Sequence, residues 1–331
     1  MNNDALILKK FCMYTFSIFY IWLYTCLPSS WFRDRLNYEE MAKYSNELIA
    51  LYQGYNTLII HEPIFLFLNK FLIVFFDPEM VPHVFVFFIT SMLCLFLIKS
   101  SKNFTLFFLG LLAFVTVPFM FHLQLVVLRQ ALATVVFIWG VLNIRSEKNF
   151  SIFILITPFL HASFFLVLLI YFTYIFLKKY INNRLYLSLI AGLCIYILFK
   201  FSMVVASYLN IYQLGYIGDY ELDVSGRSLL LYIFIYGMMV YMLSPIKDRL
   251  SDMTLVFLTT YIFLYLVTPL IGRYMVTFFP FIILSLVRNN KIENYIILIV
   301  LIILYSYVSY NGALIENSLL LSSLSEIGIG L

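Results

Sequence analysis

Two ionisable side chains lie inside long apolar runs, where an uncompensated charge is costly. Arg129 lies in LRQALATVVFIWG, and His161 lies further along in TPFLHAS. An arginine at the centre of a lipid-spanning helix costs about 2.5–3.5 kcal/mol on insertion scales, so it persists where it faces protein, water or an anionic ligand. We therefore treat Arg129 as a candidate functional residue, with snorkelling to the external headgroups as the alternative. The imidazole of His161 suits a general base or a hydrogen-bond donor, and bonding to a neighbouring carbonyl at a helix break is its structural alternative.

Other charged residues could complete a site around these two. Arg273 in LIGRYMVTFFPF and Lys200 in ILFKFSM could join Arg129 in binding a diphosphate, because guanidinium forks match phosphate oxygens. Each also has an ordinary alternative, as a loop arginine and a snorkelling lysine. Glu62 and Asp34 are the carboxylates best placed to deprotonate a hydroxyl. Together these charged residues predict a site that binds an anionic, lipid-linked substrate.

Two polar stretches, about 30–60 and about 207–228, separate the apolar runs. They supply the candidate sugar-binding residues Arg33, Asp34, Arg35, Asp219 and Asp223. The D-x-E-x-D spacing in the second stretch is a weak signal for a cation, and a solvated loop explains it equally well. The cysteines lie in apolar runs without metal-ligand spacing. We expect no metal site and no cofactor.

The composition indicates the elements that hold these residues. The chain is 63% hydrophobic and only 11% charged, far less charged than a soluble domain. We predict an all-α polytopic membrane protein, with residues 1–331 forming one integral membrane domain of about nine to eleven transmembrane helices. The predicted spans are about 11–27, 83–98, 104–121, 124–144, 185–206, 229–243, 254–271, 274–287 and 294–311.

Two further apolar segments are predicted to enter the membrane without crossing it. Residues 63–76 are too short for a span and begin with Pro63, a residue favoured in the first helical turn. Residues 150–177 are interrupted by Pro158 and have basic residues at both ends. We predict a re-entrant hairpin there, with His161 near its tip.

The basic residues orient this arrangement. Most of the 21 Lys and Arg residues fall in the connections that lie on one side of the predicted spans, which the positive-inside rule assigns to the cytoplasm. The N-terminus is then cytoplasmic, and both polar stretches and the candidate site face the exterior. No basic cluster suggests nucleic acid as a partner.

The order of several motifs resembles the EpsG-like group of Wzy-type polysaccharide polymerases. These motifs are EPIFLFLNK, LRQALATVVFIWG, FLHASFF and the pair Arg273 and Tyr274, and the similarity extends over about residues 37–287. The resemblance implies a bacterial inner-membrane enzyme with a glycosyltransferase-C-like fold, whose active site faces the periplasm or exterior. It also implies functional roles for Glu62, Arg129, His161 and Arg273.

The same resemblance implies the substrate. Such an enzyme transfers a growing glycan from undecaprenyl diphosphate to a new lipid-linked repeat unit, with membrane lipids around it and a chain-length regulator as a further partner. The product would be O-antigen of lipopolysaccharide, capsule or exopolysaccharide. The alternatives are an O-antigen ligase or another membrane glycosyltransferase, a flippase for lipid-linked glycan, and a membrane acyltransferase. A flippase would be expected to show repeat symmetry, which this sequence lacks.

Overall fold

The computed structural model describes residues 3–51, 61–208, 226–243, 246, 248–265, 267–268 and 271–310. Within these ranges every regular element is a helix, and none is a strand. The prediction of an all-α polytopic membrane protein is confirmed. The chain forms two compact units, one of residues Met1–Ala162 and Leu286–Leu331 and one of residues Ser163–Ser285.

We number the described α-helices in chain order. The first unit contains α1 Asn3–Thr25, α2 Arg35–Lys43, α3 Ser45–Leu51, α4 Pro63–Leu72, α5 Val81–Ser100, α6 Phe104–Thr116, α7 Pro118–Leu125, α8 Leu128–Asn143 and α9 Glu147–Ile154. The second unit follows with α10 Phe164–Lys178, α11 Arg184–Tyr208, α12 Gly226–Leu243, α13 Arg249–Tyr265 and α14 Ile271–Leu286. The last helix, α15 Ile292–Tyr310, returns to the first unit.

Helix α5 lies at the centre of the first unit. It packs against α1 and α8, while α15 packs against α6. Apolar side chains of α5 such as Ile89, Leu93 and Leu97 are fully buried, whereas Phe87, Phe88 and Leu95 are exposed. Helix α8, which carries Arg129, packs against this helix.

A sharp bend precedes α8. The apolar segment predicted as a span over 104–121 consists of α6 and α7, which meet at 73°. Pro118 begins α7, and proline both lacks a backbone N–H and disfavours helical geometry in the preceding residue. The segment is therefore a bent pair of helices, and its crossing of the membrane stays a prediction.

Small residues let α8 approach its neighbours closely. Ala133 is fully buried, and a Cβ placed on Gly140 would lie 2.8 Å from the Phe153 ring and 2.9 Å from the Phe150 ring. Only glycine fits at this contact with α9. Small residues are the ones that let membrane helices approach each other this closely.

Length separates the apolar helices into two groups. Among the described residues, Pro78–Ser100 and Arg184–Ser202 are each long and apolar enough to cross a membrane, and the bent α6–α7 pair adds a third candidate. Six other apolar helices are 10–17 residues long, shorter than the roughly 20 residues of a typical span. The predicted number of spans stays a prediction.

Of the two segments predicted to enter the membrane without crossing it, the first is short and the second is broken. Helix α4 has 10 residues and Pro63 in its first turn, as predicted. Between α9 and α10 the chain forms a 3-10 turn, Thr157–Phe159, that contains Pro158, and His161 follows it outside any helix. The break near Pro158 is as predicted, and its hairpin topology stays a prediction.

The second unit packs mainly through α11 and α13. The Thr259 hydroxyl donates to the Ser188 carbonyl over 2.8 Å. A Cβ at Gly192 would lie 3.0 Å from the Thr259 backbone, so the two helices meet at van der Waals contact there. This contact joins the longest helix of the unit to α13, most of whose residues are buried.

Candidate functional site

Glu62 stands in an unusual backbone conformation at the start of α4. Its φ is 58° and its ψ is 60°, and among the described residues it alone combines a positive φ with a side chain. Left-handed geometry costs an L-residue roughly 1–2 kcal/mol. The Glu62 carbonyl still accepts from the Phe65 N–H over 3.0 Å, so the strained residue begins the helix. Such strain, when the surroundings maintain it, is typical of functional positions.

The strained backbone directs the Glu62 carboxylate to Arg129. Nη1 of Arg129 donates to Oε2 of Glu62 over 2.6 Å, and the side chains are 34% and 8% exposed respectively. The guanidinium carbon also lies 5.7 Å from the Tyr38 ring centroid and 5.9 Å from that of Phe65. Arg129 therefore faces protein groups and keeps about a third of its side chain accessible.

The turn after Pro158 supplies the other partners of the same carboxylate. The Ala162 N–H donates to Oε1 of Glu62 over 3.0 Å, and Nε2 of His161 lies 3.7 Å from the same oxygen. His161 is 23% exposed at its side chain. Because the 3-10 turn packs against both α8 and α4, three distant parts of the chain converge on one carboxylate.

Aromatic packing holds this arrangement in place. Phe65, fully buried on α4, packs edge-on against Tyr38 of α2 at 5.8 Å and lies 5.2 Å from Phe85 of α5. Burial raises the pKa of Tyr38 above its ordinary value, so its hydroxyl remains protonated at neutral pH and can donate a hydrogen bond. The site thus contains a guanidinium, an imidazole, a phenol and a carboxylate within one packed shell.

This arrangement suits transfer of a group from an anionic leaving group. Arg129 offers hydrogen bonds and positive charge to a leaving phosphate. The imidazole next to Glu62 can take up a proton, because the carboxylate stabilises the imidazolium that forms. Both functions are present within one unit of the chain.

The sequence profile of the EpsG family matches residues 11–322, nearly the whole chain. The chain belongs to the EpsG family. Members of this family are Wzy-like polymerases, which supports a polysaccharide polymerase-type function and a lipid-linked glycan substrate in a membrane. No curated protein and no solved structure matches the chain.

The structure brings together three of the residues that the EpsG resemblance singled out. Glu62, Arg129 and His161 are in mutual contact through the carboxylate. Arg273 is an exposed residue of α14, and Lys200 is an exposed residue of α11. Both helices belong to the second unit. Their participation in diphosphate binding stays a prediction.

The predicted sugar-binding residues of this EpsG protein are placed differently from one another. Arg33 is exposed, Asp34 is partly exposed, and Arg35 is fully buried at the start of α2. Asp219 and Asp223 lie outside the described residues. No group of three or more His, Cys, Asp or Glu residues that could hold a metal ion occurs in the described ranges.

Sequence reasoning missed three contributors to the site. Tyr38 and Phe65 line the Arg129 guanidinium, and the Ala162 backbone binds Glu62. A signal for Tyr38 was present, because Arg35, Tyr38 and Ala42 are spaced as one face of a helix, and these are the buried residues of α2. A backbone N–H has no sequence signal of its own.

Proposed function

We propose that this EpsG protein polymerises oligosaccharide repeat units carried on undecaprenyl diphosphate, at the external face of the cytoplasmic membrane. The observation that carries the proposal is the convergence of Arg129 and His161 on the buried carboxylate of Glu62. The family supplies the class of reaction, and the site supplies groups that this reaction needs. The external orientation rests on the distribution of basic residues along the chain.

The reaction is a glycosyl transfer between two lipid-linked glycans. A hydroxyl of the new repeat unit attacks the anomeric carbon of the growing chain. The bond from that carbon to the phosphate oxygen breaks, and its electron pair leaves with the undecaprenyl diphosphate. The hydroxyl proton goes to a general base, and the growing glycan is now attached to the new repeat unit.

The geometry favours different roles for the three side chains. Arg129 stabilises the negative charge that develops on the leaving diphosphate, a contribution that increases where water is excluded. His161 accepts the hydroxyl proton, with Glu62 3.7 Å away to balance the charge it gains. Glu62 itself already accepts bonds from Arg129 and the Ala162 N–H, so we assign it the task of positioning both residues.

A reconstituted polymerisation assay tests this proposal. Purified protein in liposomes receives an authentic lipid-linked repeat unit, and the glycans are separated by size. We expect wild type to give a ladder of lengths and Arg129→Ala to give none, because the leaving group loses its cation. Arg145→Ala, which removes an exposed arginine beyond the end of α8, is the matched control and should retain the ladder.

Other products would contradict the proposal. Addition of a single sugar, transfer of the glycan to a non-lipid acceptor, or movement of the intact lipid across the bilayer would each identify a different activity. A ladder of the same intensity from Arg129→Ala would remove Arg129 from the mechanism.

A further inference from the structure

Arg35 is a buried cation for which the mechanism above has no use. Its side chain has no solvent exposure, and it is among the largest fully buried side chains in the described residues. Nε donates to the Leu125 carbonyl over 2.9 Å, and the guanidinium carbon lies 5.1 Å from the Phe32 ring centroid. Nη1 and Nη2 have no hydrogen-bond partner. A buried guanidinium normally has its donors satisfied, because unpaired ones are costly.

The positive charge of Arg35 is not neutralised by a buried carboxylate. Burial lowers the pKa of Arg35 to about 10, so the group is still charged at neutral pH. The carboxylate that acts on it is Glu39, which is partly exposed and lines a surface pocket rather than the site. Glu62 is already bound to Arg129. Arg35 and Arg129 therefore leave one positive charge in excess around a single buried carboxylate.

Helix α2 places this excess charge beside the candidate site. Arg35 and Tyr38 are three residues apart and lie on the same buried face of α2. Tyr38 interacts electrostatically with both Arg35 and Arg129, and the Arg129 guanidinium carbon lies 5.7 Å from the Tyr38 ring centroid. Nε of Arg129 is also a buried donor without a partner. Helix α2 thus brings a second guanidinium group, with two unpartnered nitrogens, to the Tyr38 side of the site.

We infer that Arg35 makes the site select a diphosphate over a monophosphate. This inference rests on the proposed function, in which the growing glycan leaves a lipid diphosphate. A cation without a buried counter-charge stabilises each additional negative charge brought to Arg129. For a charge that Arg35 acts on over about 10 Å at an effective dielectric constant near 20, the gain in affinity would be on the order of 10-fold. Lipid monophosphate lacks that charge and gains less.

The burial of Arg35 gives this selectivity a second property. Exposed charges are screened by salt over about 8–10 Å at physiological ionic strength, whereas buried charges are screened much less. The contribution of Arg35 should therefore survive high salt. A preference that arose from exposed lysines and arginines would disappear under the same conditions.

A structural role for Arg35 predicts a different outcome. Its Nε bond to Leu125 ties α2 to the last residue of α7, just before the helix that carries Arg129. Loss of this bond alone would displace Arg129 and weaken the binding of both lipids by the same factor. The ratio of the two affinities therefore separates charge selectivity from positioning.

The experiment measures the affinities of undecaprenyl diphosphate and undecaprenyl monophosphate for the full chain in nanodiscs. We expect wild type to prefer the diphosphate, Arg35→Gln to lose on the order of 10-fold of that preference, and Arg35→Lys to keep most of it. Lys43→Gln, which removes an exposed charge from the same helix, should leave the ratio unchanged. An unchanged ratio in Arg35→Gln would overturn the inference.

A salt series on wild type decides the question if Arg35→Gln does not fold. The inference predicts that the diphosphate preference persists from about 50 mM to about 500 mM salt, and its disappearance would contradict a buried cation as the source. Failure of the proposed function is detected separately, because wild type would then give no ladder of lengths in the polymerisation assay. Binding of both lipids with an unaltered ratio in Arg35→Gln would leave the polymerase proposal intact and remove only the role of Arg35.

Discussion

Two ionic clusters in this protein each combine a carboxylate with an arginine but differ in the contacts and exposure of their charged groups. In the first unit, Glu62 binds Arg129 and lies near His161. In the second unit, Asp252 binds Arg184, Lys178 and the Tyr174 hydroxyl. Each cluster has one carboxylate, and each has a further cation nearby: Arg35 in the first unit and Lys178 in the second.

The cluster around Asp252 directs its donors to helix ends. Nε of Arg184 donates to Oδ1 of Asp252 over 2.6 Å, and Nη1 donates to the carbonyls of Leu243 and Ile246 at the end of α12. The Tyr174 hydroxyl donates a hydrogen bond to Oδ2 of Asp252 over 2.7 Å. These bonds join α10, α11, α12 and α13, and they satisfy carbonyls that a helix terminus leaves without a partner.

The excess cation of the second cluster is accessible to water. Lys178 is 43% exposed, so solvent balances its charge. In the first unit the excess cation is Arg35, which has no exposure and two unpartnered nitrogens. The difference indicates that the Asp252 cluster is a structural tie, whereas the Glu62 cluster retains positive charge for a ligand.

Backbone geometry separates the two clusters in the same way. Glu62 has a φ of 58°, while Asp252 lies in the regular first turn of α13. A structural tie gains nothing from strain, because strain subtracts from stability. The strained carboxylate therefore belongs to the cluster for which we propose a chemical role.

Exchange of the two arginines for alanine should separate these roles most strongly. Arg129→Ala should lower polymerisation on the order of 10³-fold, the upper range for removal of one electrostatic stabiliser, with little change in thermal unfolding. Arg184→Ala should do the opposite, because it leaves Asp252 and two terminal carbonyls without their main donor. Unfolding curves and polymerisation rates per folded molecule test both, and a large loss of stability in Arg129→Ala alone would reverse the comparison.

Removal of the imidazole should have the next largest effect. We expect His161→Gln to lower the rate on the order of 10²-fold, which is the lower range for general base catalysis, while binding of the lipid diphosphate is retained. Single-turnover rates and lipid affinity are measured on the same preparation. Equal losses in affinity and rate would mean that His161 binds substrate and does not take its proton.

Tyr38→Phe should have the smallest effect on the first cluster. The change removes one hydroxyl that interacts electrostatically with Arg129 and keeps the ring between α2 and α4. A single polar interaction contributes about 0.5–1.5 kcal/mol, so the rate should fall roughly 2- to 12-fold. No change would show that the ring alone, by packing against Arg129, accounts for the presence of Tyr38.

Much of this site could be predicted from the sequence because its members are exceptional in their surroundings. Arg129 is a charge within an apolar run, His161 follows a proline that breaks another, and Glu62 precedes the proline that begins α4. Their contact could not be predicted from spacing, since 67 residues separate Glu62 from Arg129 and 100 separate it from Ala162. Local patterns identify such residues one at a time, and only tertiary packing brings them together.

The roles of Arg35 and Pro118 show two different limits. Arg35 lies in the charged run Arg33–Asp34–Arg35, which indicates a solvated loop, but its position on the apolar face of α2 buries it. For Pro118 the signal was in the sequence, because a proline inside an apolar run predicts a break. The span predicted over 104–121 made no use of that proline, and the structure has a 73° bend there.

A double-mutant cycle between Glu62 and His161 tests the central claim most directly. Rates of polymer formation are measured for wild type, Glu62→Gln, His161→Gln and the double variant under single-turnover conditions. Residues that act as one unit give losses that are not additive, so we predict that the double variant is about as slow as the slower single variant. A loss equal to the product of the two single losses would contradict the assignment of the carboxylate and the imidazole to one catalytic site.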